Sequence, residues 1–226
     1  KTCSYHPNEE YMLLNCAEEL IILAIDDQTN SFYRISNINI NVALIGALLM
    51  DLALRKRIDV GLEGIYVLST EPTGDEFLDT ILENLVETEA GNQPAVLVGH
   101  LYNSMVHLKD KLLQSLEEKG IIKVSQCKVL WLFKKRRYPV IDQKEEEEVL
   151  SRIRKTILTD VKPEPRDLAL LALLQICGLM DKIFTKEELE QRSARLKLLN
   201  NMDLISPAVK RIIGEMQVLI TTTYTT

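Results

Sequence analysis

The chain alternates long apolar runs with short polar punctuation, and the spacing of the apolar positions predicts helices for most of its length. Met12, Leu13, Leu14, Leu20 and Ile21 follow the acidic pair Glu9-Glu10 and run into the apolar stretch Ile21 to Ile25, which reads as one helix. Asp26 to Asn30 is a turn cluster, and Ser31-Phe32-Tyr33 reads as short extended or irregular chain. Asn41 to Arg55 is apolar on nearly every side, the pattern of a helix at the centre of a domain. The cations Arg55-Lys56-Arg57 at its end suit the negative pole of a helix. Ile58-Asp59-Val60 and Ile65 to Leu68, either side of a turn around Gly61 to Gly64, predict a short hairpin.

Pro72-Thr73-Gly74-Asp75 is a turn that opens a helix carrying Phe77, Leu78, Ile81, Leu82 and Leu85. Gly91 to Pro94 breaks the chain, and Ala95 to Glu118 predicts another long helix closed by Gly120. Ile121 to Val124 and Val129 to Phe133 are β-prone runs separated by Ser125 to Lys128, so a second hairpin is expected there. Lys134, Lys135, Arg136 and Arg137 would then form a basic tip directly after it. Glu145 to Ile157 is amphipathic with an acidic start, and Pro163 and Pro165 end that unit. Arg166 to Ile183 reads as a second strongly apolar helix, followed by helices over Lys186 to Leu199 and Pro207 to Ile220. No repeat or low-complexity linker divides the chain. The expected fold class is mainly α: a single helical-bundle domain over residues 1–226 with one or two short β-hairpins.

Composition supports a packed core filled by aliphatic side chains, since 46% of residues are hydrophobic and only 5% aromatic. The net charge of −6 argues against a general polyanion binder, so an anionic partner has to be met by a local basic patch. Cys3, Cys16, Cys127 and Cys177 form no CxxC pair and read as reduced core thiols. The first residues carry no basic region followed by an apolar run. The best membrane-span candidate, Ile38 to Leu54, contains Asn39, Asn41 and Asp51 and reads as too polar to cross a bilayer, which takes ~20 apolar residues. A chain that stays in the cytoplasm, soluble or peripheral at a membrane surface, is expected.

No phosphate-binding loop, dinucleotide fingerprint, nucleophile elbow or zinc-protease motif is present, and His6, His100 and His107 are scattered. Asp75 and Asp79 could be drawn as an acid–base pair, yet Asp75 stands where a helix-capping acid belongs. The expectation is therefore no catalytic residue, no metal and no cofactor. The basic tip differs, because Trp131, Phe133 and Tyr138 flank its four cations. Cations beside amphipathic aromatics suit an anionic membrane interface, where each Lys or Arg contributes ~1 kcal/mol. Trp131, Phe133, Lys134, Lys135, Arg136 and Arg137 are thus candidate membrane or partner contacts. An acidic chain with no recognition motif is not expected to bind nucleic acid.

Four stretches, in order, resemble the Golgi phosphoprotein 3 family. Leu20 to Asp27 is similar to the family's first helix, and Leu48-Leu49-Met50-Asp51-Leu52-Ala53-Leu54-Arg55-Lys56-Arg57-Ile58 to its "ELALRGRL" helix end. Pro72-Thr73-Gly74-Asp75 with Leu78-Asp79 resembles its "PTGD..LD" segment. Leu116-Glu117-Glu118-Lys119-Gly120-Ile121-Ile122 resembles its "L-x-E-K-G" helix end, with a hairpin and Pro139 beyond. The resemblance spans the chain from about Glu9 onward. It implies a non-enzymatic peripheral adaptor with a helical bundle and a hairpin used in self-association. It also implies binding to phosphatidylinositol 4-phosphate through an aromatic and several arginines. The matching aromatic is Tyr33. One arginine place falls near Ile45, which is apolar, and the others fall at Val106 and Lys109, with Lys111 close by. Tyr33, Lys109 and Lys111 are therefore the candidate headgroup residues. Lysines offer point charges where arginines offer bidentate forks, so a less selective site is implied. The partners so expected are an anionic phospholipid surface, another copy of the chain through a hairpin at residues 121–133, and client proteins the sequence does not name. The alternative is a protein-interaction or oligomerisation module without specific lipid binding.

Overall fold

Helix α1 (Cys16–Ala24) begins where Asn15 forms a capping box: its side chain accepts from the Glu18 amide at 2.9 Å and its own amide donates to Glu18 Oε2 at 3.1 Å. Every residue of α1 is buried, acids included. The structure, a computed structural model, describes residues 14–33, 35–60, 64–87, 100–129, 133–201 and 207–222. The expected helical positions from Glu9 to Leu13 lie outside them.

After α1 the chain turns through β1 (Ile25–Asp26) and β2 (Ser31–Phe32), which pair antiparallel. Ser36 then caps the central helix α2 (Asn37–Leu54), accepting from the Asn39 amide at 3.1 Å. The helix starts four residues before the apolar pattern does, because the cap rather than the apolar run sets its start. It packs against α1 and α3 (Glu76–Glu87), and against α6 (Pro165–Ile176) and α10 (Pro207–Thr222) further along. Among the described residues α2 is the one helix long and apolar enough to cross a membrane, and 78% of it is buried inside the fold. Its apolar surface is therefore accounted for by core packing. One hydrophobic cluster joins Leu14 to Met216 through α2. Gly46 marks its closest approach: a Cβ there would lie 2.8 Å from Met216 Cγ and Sδ.

The first predicted hairpin is present as β3 (Ile58–Val60) paired with β4 (Ile65–Val67). The second is displaced. Strands β5 (Ser125–Val129) and β6 (Phe133–Arg137) pair in a register that sets Ser125 opposite Arg137 and Gln126 opposite Arg136. The segment read as the turn is a strand, and the basic tetrad is the other strand rather than a tip beyond it. The expected 121–133 hairpin is a 125–137 hairpin, extended by a single bridge between Ile122 and Val140. Ile121 and Ile122 are buried, so they serve the core and not the ribbon. Leu130, Trp131 and Leu132 lie outside the described residues.

Three predicted helices are interrupted. The 95–118 helix is helical at 100–104, turns at 105–107 with the Leu108 amide bonded to the Met105 carbonyl, and resumes as α4 (Leu108–Glu118). Gly120, at φ 73°, closes α4 with the Ile121 amide on the Leu116 carbonyl. The amphipathic α5 (Gln143–Leu158) has Asp142 as its cap. Helix α6 ends at Gly178, whose φ of 67° is left-handed, before the short α7 (Met180–Ile183). The predicted 186–199 helix divides at Arg192 into α8 (Lys186–Gln191) and α9 (Ser193–Asn201). Helices thus make up most of the described chain, and strands occur only as three short antiparallel pairs.

Candidate functional site

Turn β1–β2, the start of α2, the start of α4 and strand β6 meet around Lys109. Its ammonium donates to Asn37 Oδ1 at 2.6 Å and lies 5.4 Å from the centre of the Phe32 ring. Phe32 in turn packs on Tyr138, ring centres 5.5 Å apart and tilted by 59°. The Tyr138 amide donates to the Asn30 carbonyl at 2.7 Å, fixing the β1–β2 turn against the end of β6. Arg136 reaches back from β6 and donates to Asp110 Oδ1 at 2.7 Å. Burial lowers the Lys109 ammonium below the usual lysine range; Asp110 opposes that shift and Arg136 adds to it. Two cations therefore share one aromatic-backed surface with a single carboxylate between them.

The sequence candidates divide over this frame. Lys109 and Arg136 come together. Tyr33 does not join them: its hydroxyl donates to Asp181 Oδ2 of α7 at 3.1 Å. The Tyr33 amide continues the extended pairing onto the Ala24 carbonyl, so Phe32 and Tyr33 leave the backbone on opposite sides. The aromatic beside the lysine is thus Phe32, which the sequence reading passed over. Period-two alternation through Ser31-Phe32-Tyr33 was the signal that could have found it.

Lys111 faces elsewhere. It lines a cleft of about 390 Å³ with Phe77, Thr80, Gln114 and Glu118 between α3 and α4. Residues two apart on a helix do not share a face, which separates it from Lys109. Ile45 is buried in α2, and Val106 is exposed on the 105–107 turn. Arg137 is half-buried beside the exposed Arg136. Phe133, Lys134 and Lys135 belong to β6, but their side chains, like Trp131 as a whole, lie outside what is described.

A second polar centre, inside the fold, was not foreseen. Glu18, Glu19 and Asp51 are almost fully buried. Lys119 donates to both Glu18 oxygens at 2.6 and 2.7 Å, and Ser115 adds a bond of 2.9 Å. Arg166 bridges Asp51, at 3.2 Å to each oxygen, and Glu19 at 3.3 Å. Arg152 donates to the other Glu19 oxygen at 2.7 Å. Burial pushes the Glu19 carboxyl up, against the pull of Arg166 and Arg152. Each acid is held by partners on other helices, an arrangement that clamps the bundle.

Asp75 and Asp79 are committed in the same way. Asp75 Oδ1 accepts from the Phe77 and Leu78 amides at 2.9 and 3.1 Å, and Oδ2 from Asn15 at 2.9 Å. Asp79 Oδ1 holds the amide and hydroxyl of Thr73, each at 2.7 Å. Arg55, Thr73, Gly74, Asp75 and Lys119 line one cleft of about 480 Å³. Three of the resembling sequence blocks thus converge there, and their polar side chains are spent on holding α1 to α2, α3 and α4.

The motifs and the helical frame define a member of a known family. The Golgi phosphoprotein 3 (GPP34) family model matches residues 16–216, and the chain belongs to that family. It is similar to vacuolar protein sorting-associated protein 74 of Eremothecium gossypii, 24% identical over 230 residues that cover 84% of this chain and 69% of the relative.

Proposed function

We propose that the chain is a non-enzymatic adaptor that docks peripherally on anionic, phosphoinositide-type membrane surfaces from the cytoplasmic side. The observation that carries this reading is the pairing of Lys109 and Arg136 over the Phe32–Tyr138 aromatic pair. Two cations, Lys109 half-buried and Arg136 exposed, with one acid beside them leave positive potential uncompensated, and a phosphate headgroup supplies the missing charge. Phosphatidylinositol 4-phosphate, the lipid the family resemblance implies, carries such a phosphate. The cations of β6, with Trp131 and Phe133 close to them in sequence, would add attraction to the surface without selecting one lipid. Tyr33 and Lys111 stand apart from this cluster and take no part in the proposed headgroup contact.

Co-sedimentation tests this. Wild-type protein is expected to pellet at low salt with phosphatidylcholine vesicles containing phosphatidylinositol 4-phosphate, and less so with phosphatidylserine at equal charge. Binding should fall with added salt. Lys109→Glu with Arg136→Glu should abolish it, and Lys111→Glu should not. Absence of binding to any anionic vesicle, or equal binding by the double variant, overturns the reading.

A further inference from the structure

We propose that the cleft between the end of α5 and the start of α6 binds a soluble oxyanion of the phosphate class, at a site separate from the lipid surface. The cleft encloses about 230 Å³ and is lined by Arg152, Lys155 and Lys162, with Glu164 and Asp167 at the start of α6. Arg195 of α9 donates to the Val161 carbonyl at 2.6 Å and to the Thr156 carbonyl at 3.4 Å, which fixes the chain that forms one wall. A cleft held in shape before its occupant arrives saves the entropy of ordering it on binding.

The charges around it do not cancel. The acids buried behind the cleft are Glu19, Asp51 and Asp167, and each already has an arginine. Arg166 serves Glu19, Arg55 serves Asp51 at 3.1 Å, and Arg152 lies 3.6 Å from Asp167. Lys155 and Lys162 take part in no ion pair among the described residues, and the acid left to face them, Glu164, is exposed and caps no amide of α6. Arg152 is also under-used as a donor. Of its three guanidinium nitrogens only Nη2 hydrogen-bonds among the described residues, to Glu19 at 2.7 Å, and Nε is buried without an acceptor. Its side chain is one-third exposed at the cleft wall, so the guanidinium has donors to offer. Two free ammonium groups beside an unsatisfied guanidinium suit an anion with several charged oxygens, as a phosphate has.

Position argues for a soluble ligand rather than a headgroup. Arg152 grips Glu19 in the first turn of α1, whereas the last turn of α1 leads through β1 to the β1–β2 turn beside Lys109. The two cationic surfaces therefore sit at opposite ends of that helix, ~13 Å apart along its axis. A membrane met by Lys109 and Arg136 leaves the α5–α6 cleft facing water.

Isothermal titration calorimetry of the full chain with inorganic pyrophosphate, at an ionic strength held constant with sodium chloride, tests the proposal. Saturable heat is expected, with affinity weakened about 10-fold by Lys155→Gln with Lys162→Gln and kept by Lys155→Arg with Lys162→Arg. Both positions are solvent-exposed, so the variants should fold. Lys109→Glu with Arg136→Glu should leave pyrophosphate binding unchanged, and the glutamine variant should pellet with phosphatidylinositol 4-phosphate vesicles as wild type does. No saturation, equal affinity in the glutamine variant, or loss of pyrophosphate binding in the Lys109, Arg136 variant overturns the proposal. Loss of vesicle binding by the glutamine variant also overturns it, in favour of a lipid phosphate as the occupant.

Discussion

Lys119 grips both oxygens of the buried Glu18 carboxylate, joining the C-cap of α4 to the first turn of α1 across a sequence separation of 101 residues. The same Glu18 closes the capping box of α1, so one side chain both starts a helix and anchors it.

Removing the cation should expose the cost of that burial. Lys119→Met leaves a carboxylate with no surface exposure and no counter-charge, and should destabilise by ~3–5 kcal/mol. Glu18→Gln together with Lys119→Met should cost less than the sum of the single changes. Urea midpoints for the four proteins of this cycle measure the coupling, and strict additivity would count against the clamp.

Gly46 and Met216 should be coupled as well. A methyl at Gly46 meets Met216 at 2.8 Å, so Gly46→Ala should lower stability although alanine favours helix. Gly46→Val should cost more, in the range of ~1–3 kcal/mol. Shortening Met216 to Ala in the Gly46→Ala background should recover part of the loss, as read from Tm.

Acid pH should reveal Glu19. Burial raises its folded-state carboxyl above the usual value, so the folded chain holds that proton more tightly than the unfolded chain. Its contribution to stability therefore declines as pH rises from the unfolded value near ~4.3 through the raised folded value, and is flat above it. The stability of wild type minus that of Glu19→Gln, measured by urea unfolding across this range, should decrease with pH. A difference that does not change with pH contradicts the assignment.

Asp110 should separate stability from lipid contact. Its pair with Arg136 is about half exposed on both sides and is worth at most ~1 kcal/mol. Asp110→Asn should hardly move the urea midpoint. It should strengthen sedimentation with anionic vesicles, because the carboxylate no longer competes for Arg136. Weaker vesicle binding by this variant would count against Arg136 as a lipid contact.

Helices were legible wherever a full apolar face exists. The α2 pattern from Val42 to Leu54 identified the central helix correctly because its neighbours cover it on all sides. Breaks inside such patterns were not legible. Gly178 ends α6 although Leu179 and Ile183 continue the apolar run, since a left-handed glycine redirects the chain while both residues still reach the core. The hairpin failed for the converse reason. Ile121 and Ile122 are β-prone but are claimed by the core, so pairing moved outward to Ser125–Val129 and the basic run became a strand.

Lys109 could be singled out from the sequence, but its partners could not. Phe32, Asn37, and the pair Arg136 and Tyr138 come from three separate stretches of chain, and no spacing rule links them to Lys109. The buried acids were still less visible, because Glu18 and Glu19 look like ordinary acids at a helix start until Lys119, Arg152 and Arg166 are brought to them.

The basic run Lys134 to Arg137 and the family motifs were fixed by the order of residues alone, as was the mainly helical character, because short-range periodicity and local composition encode them. Which cation meets which aromatic, which acids are buried and paired, and which cations are left unpaired were decided by tertiary structure. Those properties depend on contacts between residues tens to more than a hundred positions apart, and on the burial that gives each charge its energetic weight.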